Sequence, residues 1–335
     1  MNVLSLFDGM SCGQIALDKL GIPVKNYFAA EIDKYAIKVA QDNYPDMVHL
    51  GDVKEIWVSN SYDGPIGSTL CTTGIGHKGV THKIDLLIGG SPCQGFSFAG
   101  KQLNFDDPRS QLFFEYVRLL EALKPKYFLL ENVKMKKESE QVITEILGVE
   151  PIEINSNLVS AQNRKRLYWT NIPMNGLPED KGIMLKDILE PVEQIDDVYY
   201  YSDKSIAYME RGNAKWQQAG SRRADRYTQT PNTKKAFTIT ANFHKGVPYN
   251  YFDDVRDKSK CVRSGGRGSY DRHEWDSVDT HHIRKLTVTE CERLQTVPDG
   301  YTCGVSNTQR YKMLGNGWTV DVIKHIFEGL KETTQ

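Results

Sequence analysis

Residues 84–98 constrain the fold more than any other stretch: Ile84-Asp85-Leu86-Leu87-Ile88-Gly89-Gly90-Ser91-Pro92-Cys93-Gln94-Gly95-Phe96-Ser97-Phe98. A short apolar run ends in two glycines. Ser91-Pro92 then stops regular structure and puts one cysteine at the head of a loop containing Gly and Ser. A buried parallel strand delivers a nucleophile to a site at its carboxyl end in this way. A lone cysteine is more often a small buried hydrophobe. Here the preceding proline, the strand end and the loop running to about Asn104 favour a nucleophile.

The chain before this stretch reads as a holder for a ligand. Residues 2–7 form a strand, residues 8–13 a turn, and Gln14 to Leu20 a short helix stopped by Gly21 and Pro23. Glycine at a strand-to-helix turn lets backbone amides approach a ligand closely. The Gly-x-Gly-x-x-Gly fingerprint is absent, which argues against a dinucleotide phosphate. A second strand, 25–30, ends in Glu31-Ile32-Asp33. Glu31 is placed to accept from ribose hydroxyls, or else it is an acid at the start of a helix from Lys34 to Asn43. A third strand, 48–50, leads into Gly51-Asp52-Val53, where Asp52 can accept from an adenine amino group and Val53 can pack on the ring. Three strand ends, each with a turn and an acid, indicate a nucleoside-bearing cofactor.

Residues 59–82 read as a loop or hairpin insertion. Cys71, His77 and His82 match no common zinc spacing, so no metal site is expected. A helix over 110–123 is followed by a strand from Lys126 to Leu130, ending in Glu131-Asn132-Val133. A carboxyl at that edge can donate a proton. Residues 152–172 read as two strands separated by Gln162-Asn163-Arg164-Lys165-Arg166. Arg164 and Arg166 alternate on one side of an extended segment, as clamps in a cleft or as a solvated basic edge. Residues 173–200 look like a connector, and Ala236 to Asn242 looks like a strand. Further on, Thr287 or Thr289 caps a helix to Gln295, and a second helix covers about Asn307 to Leu314. Gly315-Asn316-Gly317-Trp318-Thr319-Val320 turns into a last amphipathic helix with Val322, Ile323, Ile326, Phe327 and Leu330 inward.

The formal net charge of −1 conceals an asymmetry. Residues 204–285 hold 17 Lys and Arg against 9 acidic residues, a net of +8, and the remainder carries −9. A basic module on an acidic one suits a polyanionic partner, although a solvated basic surface has the same composition. The six cysteines, at 12, 71, 93, 261, 291 and 303, show no repeated short spacing. They read as reduced thiols of a cytoplasmic protein. No apolar segment approaches the length of a membrane span, and the strand beginning at Asn2 leaves no room for a signal peptide.

Taken together, these residues resemble the DNA (cytosine-5) methyltransferase family, in order and over nearly the whole chain. Phe7-Asp8-Gly9-Met10-Ser11-Cys12-Gly13 is similar to the family's first motif, which holds S-adenosylmethionine. Glu31-Ile32-Asp33 and Gly51-Asp52-Val53 resemble its ribose and adenine motifs. Ser91-Pro92-Cys93-Gln94 matches its nucleophile motif, Glu131-Asn132-Val133 its acid motif, and Gln162-x-Arg164-x-Arg166 its two-arginine motif. Gly315-Asn316-Gly317 with the final helix resembles its closing motif. The Phe-Asp-Gly turn and Trp318 are similar to the catalytic domains of eukaryotic de novo enzymes. Asn316 is the bacterial residue, and a free-standing bacterial or phage enzyme is the expectation. The Cys-Phe-Thr signature of the tRNA-methylating branch is absent.

The resemblance implies an α/β fold: a Rossmann-like, S-adenosylmethionine-dependent methyltransferase domain of residues 1–172 plus 285–335, with a smaller target-recognition domain, 173–284. It implies that Cys93, Glu131, Arg164 and Arg166 are catalytic. The cofactor, leaving as S-adenosylhomocysteine, would lie against Phe7, Asp8, Gly9, Met10, Cys12, Glu31, Ile32, Asp33, Asp52, Val53, Pro92, Asn316, Gly317 and Trp318. Duplex DNA with a specific cytosine site would meet Gln94, Ser97, Arg222, Arg223, Arg226, Lys234, Lys235, Arg263, Arg267 and Arg272. A cognate restriction enzyme is a further expected partner. An RNA cytosine methyltransferase, a nucleotide-dependent oxidoreductase and a non-catalytic DNA-binding relative are the rival readings.

Overall fold

Strand β1 (Asn2–Leu6) is buried at four of its five positions. A parallel strand covered by helices on both faces has that pattern. The computed structural model describes residues 1–62, 71–77, 80–91, 111–202, 204–207, 211, 229–246, 250–254 and 283–332. Helix α1 (Cys12–Leu20) follows β1 and ends at Gly21, whose φ of 65° closes the helix as only glycine does freely. Strand β2 (Asn26–Ala30) leads to α2 (Lys34–Asn43), capped by the Asp33 carboxylate on the amides of Tyr35 and Ala36. Strand β3 (Val48–Gly51) comes next.

The 59–82 region forms a three-stranded antiparallel sheet, β4 (Val58–Tyr62), β5 (Cys71–His77) and β6 (Val80–His82). The chain then re-enters the main sheet as β7 (Leu86–Gly89), followed by α3 (Gln111–Leu123) and β8 (Tyr127–Val133). Helix α4 (Lys137–Leu147) lies where the sequence suggested no element. Strands β9 (Ile152–Asn155) and β10 (Lys165–Thr170) complete the sheet.

The order of the main sheet is β3-β2-β1-β7-β8-β10-β9, with β10 antiparallel to both neighbours. The chain winds outward from β1 to β3, then returns to pair β7 on the other side of β1. The carboxyl ends of β1 and β7 therefore flank the switch point where open α/β sheets bind ligands. Alternation sends Val3, Leu86 and Ile88 to one face and Leu4, Leu6 and Leu87 to the other. Helices α3 and α4 cover the second face.

The first face is covered by α1 and by the end of the chain: α5 (Val288–Leu294), α6 (Asn307–Asn316) and α7 (Val320–Phe327). Thr287, not Thr289, caps α5 in a capping box with Glu290. The inner face read from the sequence, Val322, Ile323, Ile326, Phe327 and Leu330, is buried throughout.

Ala236 to Asn242 is not a strand. Ala236 makes an isolated bridge with Gln162, and Ala241–Lys245 is a 3-10 helix against α6. Tertiary partners override its alternating pattern. Leu185, Ile188, Ile239, Phe243 and Phe252 share one core with Tyr311 and Leu314. Strands β11 (Phe252–Asp253) and β12 (Ile283–Arg284) pair beside them. Fully buried Arg284 forks onto both oxygens of Glu290 at 2.7 and 2.8 Å and reaches Asp254 at 2.8 Å. Each charge in that cluster is paired, as burial demands.

Candidate active site

One cavity of about 800 Å³ opens at the switch point. Its walls come from the carboxyl ends of β1, β2, β3, β7 and β8, from Arg164 and Arg166, and from the closing turn before α7.

The turn after β1 is unusual in its backbone. Phe7, Gly9 and Ser11 have φ of 57°, 60° and 64°, and two of the three carry a side chain. Left-handed non-glycine residues cluster at ligand sites, where surrounding contacts hold them. The contacts are present here. The Asp8 amide donates to Ala30 O at 3.1 Å, and the Gly9 amide donates to Glu31 Oε2 at 2.8 Å. Glu31 Oε1 accepts from the amides of Ile32 and Asp33 at 2.8 and 2.9 Å. Glu31 thus fastens the first turn to the second. Asp33, by contrast, spends its carboxylate on capping α2.

Asp8 accepts from Tyr27 Oη at 2.8 Å and from Ser11 Oγ. Burial pushes its carboxyl up to about 6 against the lowering pull of those donors. Cys12 is buried beside it, and burial raises its thiol to about 12. That is an inert thiol rather than a nucleophile. Met10 is fully buried beneath the turn, and its carbonyl accepts from Tyr301 Oη.

The residues fit a nucleoside-bearing cofactor. At both Gly9 and Gly51 the space a Cβ would fill is open, and both residues line the cavity. Ile32 is 74% exposed at the rim. Val53 is buried behind it, and Asp52 caps the short 3-10 helix that Val53 begins. An exposed branched side chain between two acids is the surface a flat heterocycle covers.

Glu131 lies within β8, not beyond it, paired in register with Tyr168. It is 8% exposed. Its Oε1 is 2.9 Å from Arg166 Nε, and its Oε2 accepts from Trp318 Nε1 at 3.2 Å. Asn132 Nδ2 donates to Ser91 O and Oγ, both at 3.4 Å, which ties β8 to the residue before Pro92.

The two arginines diverge in their partners. Arg164 is buried and donates to main-chain carbonyls: Ile239 at 2.9 Å, Gly315 at 3.2 Å and Gly317 at 2.9 Å. Burial, then the nearby Arg166 charge, lowers its guanidinium to about 10. Gln295 Nε2 donates to Leu314 O at 2.6 Å and Gly317 O at 3.3 Å. The closing turn is therefore held from beneath, and Asn316, Gly317 and Trp318 face the cavity.

Lys235, expected at a phosphate, turns inward. Its ammonium donates to the carbonyls of Asn157, Ser160 and Ile183 at 2.6, 3.2 and 2.6 Å. All three protons are used, so it acts as a staple. Lys234 is exposed. Pro92, Cys93, Gln94, Ser97, Arg222, Arg223, Arg226, Arg263, Arg267 and Arg272 lie outside the described residues. The sequence reading missed Asn242, His244, Lys245 and Lys312, which also line the cavity. Lys312 sits one helical turn before Asn316, so the spacing alone could have found it. Asn242 was hidden by the strand-like alternation, and His244 and Lys245 by the unread 3-10 helix Ala241–Lys245.

Similarity to known proteins agrees with this geometry. The chain is 32% identical over 339 residues to "Type II methyltransferase M1.ScrFI" of Lactococcus lactis subsp. cremoris, spanning 93% of this chain and 73% of that one. It is 30% identical over 342 residues to "Type II methyltransferase M.HpaII" of Haemophilus parainfluenzae, spanning 96% and 86%. In fold it is similar to the Entamoeba histolytica methyltransferase EhMeth, with a TM-score of 0.70 at 16% identity over 100% of this chain and 99% of that one. It is likewise similar to S. pombe Dnmt2, with a TM-score of 0.64 at 17% identity over 100% of each. Residues 1–332 match the family described as "C-5 cytosine-specific DNA methylase", so the chain belongs to that family and is a cytosine-5 DNA methyltransferase.

Proposed function

We propose that this enzyme methylates a flipped-out cytosine in duplex DNA through a transient covalent bond from Cys93. The observation that carries the reading is the Glu131–Arg166 pair facing a cavity at the end of β7, whose last residue, Gly89, is three positions before Pro92 and four before Cys93. Carbon 5 of cytosine is a weak nucleophile. Addition of the Cys93 thiolate to C6 turns the ring into an enamine and makes C5 reactive. Glu131 gives a proton to N3 as the C6–S bond forms, and Arg166 stabilises charge at O2. A base then takes the C5 proton, the thiolate leaves, and N3 returns its proton to Glu131. Paired cytosine is out of reach, so the base must leave the stack.

Bound S-adenosylmethionine supplies an activated methyl group. Glu31 and Asp52 would hold its ribose and adenine ends, and the backbone of Gly9 its amino-acid end. Arg164, whose guanidinium donates to the Gly315 and Gly317 carbonyls, would act by holding residues 315–317. Residues 173–284 would form the target-recognition domain, with Arg222, Arg223, Arg226, Lys234, Arg263, Arg267 and Arg272 on the DNA. The chain would act in a bacterial or phage-infected cytoplasm, beside a cognate restriction enzyme.

Labelled S-adenosylmethionine incubated with duplex DNA, and separately with total tRNA, tests this. Cys93→Ser should bind DNA and cofactor yet lower methyl transfer by about a thousandfold or more, the scale of losing a nucleophile. Substantial methylation by that variant would remove Cys93 from the reaction. Label in tRNA alone would overturn the substrate.

A further inference from the structure

Glu131 has a neighbour to which the mechanism above gives no part. The indole N–H of Trp318 donates to Glu131 Oε2 at 3.2 Å, from 187 residues further along the chain. Arg166 sits on the other oxygen at 2.9 Å. The last torsion of a glutamate is soft, and one donor leaves it free to swing. Donors on both oxygens fix the plane of the carboxyl.

The contact is supported on two sides. Gly90 passes beneath it: a Cβ there would lie 3.0 Å from both Glu131 Oε2 and Trp318 Nε1. Behind it, the Gly317 carbonyl is held by Arg164 and Gln295, which fixes the main chain leading into Trp318. An indole nitrogen donates and never accepts. It therefore cannot take the proton that Glu131 must deliver, and it leaves the remaining lone pairs to the substrate side.

We infer that Trp318 is a positioning residue for Glu131, its N–H aiming the carboxyl at the base while its ring walls the cofactor cavity. The inference rests on the proposed role of Glu131. It concerns a step that needs no methyl donor. As N3 takes the Glu131 proton, the Cys93 sulfur bonds to C6 and the electron pair moves to C5. Without a methyl group, C5 takes a hydron from water. It then loses its original hydrogen, the C6–S bond breaks, and N3 returns its proton to Glu131. Exchange of the C5 hydrogen thus reads Glu131 without the cofactor.

The experiment uses duplex DNA copied from a mixed genomic template with tritium at C5 of cytosine, and follows release into water in the absence of cofactor. Trp318→Phe keeps a ring and deletes the donor. Trp318→His keeps a donor, because its imidazole Nε2 superposes on the indole Nε1. The Phe variant should release tritium about tenfold more slowly, the scale of a hydrogen bond to a charged group. The His variant should stay within about threefold of wild type by the same scale. DNA affinity of both variants should match wild type. Wild-type release in the Phe variant, with only the KM for cofactor raised, would overturn the inference and leave Trp318 a cofactor wall. Equal loss in both variants would assign the effect to packing and overturn it too. No release by wild type would instead remove the roles given to Cys93 and Glu131, and that of Trp318 with them.

Discussion

Asp8 shows how one buried side chain sets a pH dependence. Its carboxyl sits near 6 in the fold against an ordinary 3.8, because burial outweighs the hydrogen bonds it accepts. Between those two values the folded chain binds more protons than the unfolded one. Stability from this group is therefore full at the acid end and is lost as pH rises through 6, by up to ~3 kcal/mol. Asp8→Asn should remove that slope. Urea titrations at pH 4, 5 and 6 would show it, and parallel pH profiles for both proteins would refute it. The residues around Asp8 were legible because the motif is local: Phe7 to Cys12 lie in one turn. Partners distant in sequence were not legible. The destination of Arg164 depends on carbonyls 75 and 151 residues away, and the contact of Trp318 on a carboxylate 187 away. Lys235 misled for the same reason, since its neighbour Lys234 makes a basic pair in sequence while its own ammonium faces inward.

At the scale of elements, the strands and helices at the switch point were readable because each is a short apolar run closed by Gly, Pro or an acid. Helix α4 was not read, although Ile143 and Leu147 share a buried face. Its charged first turn, without a capping side chain, gave no start signal. The packing of α6 on the 3-10 helix Ala241–Lys245 was beyond any local pattern. A Cβ on Gly315 would lie 2.2 Å from Thr240 C and 2.3 Å from Ala241 N, both main-chain atoms with no rotamer to yield. Gly315→Ala should therefore separate the two elements and lower stability by ~2 kcal/mol, as overpacking does. Its cavity-facing neighbours Asn242 and His244 would move with it, so cofactor affinity should fall as well. Denaturant midpoints and binding isotherms would check this; an unchanged midpoint would mean the two elements already have room.

For the whole molecule, charge is divided where shape is continuous. Residues 204–285 carry +8 and the rest −9, while the apolar side chains of both parts share one core. A polyanion gathered by the basic part would release counterions in proportion to its phosphate contacts. Replacing Arg222, Arg223 and Arg226 by Ala should flatten the log–log dependence of DNA affinity on salt by about 2–3 units. Anisotropy titrations across a salt series would measure it, and an unaltered slope would place those arginines off the backbone. Contacts beneath and beside the first turn join distant parts of the chain: Tyr301 Oη donates to Met10 O across 291 residues, and Lys19 pairs with Asp321 on α7. Contacts of such separation form late in folding. During synthesis, the cysteine, the glutamate and both arginines have emerged while the indole that faces Glu131 has yet to be made. On the proposed roles, a nascent chain thus carries Cys93, Glu131, Arg164 and Arg166 before it carries the wall that would arrange them.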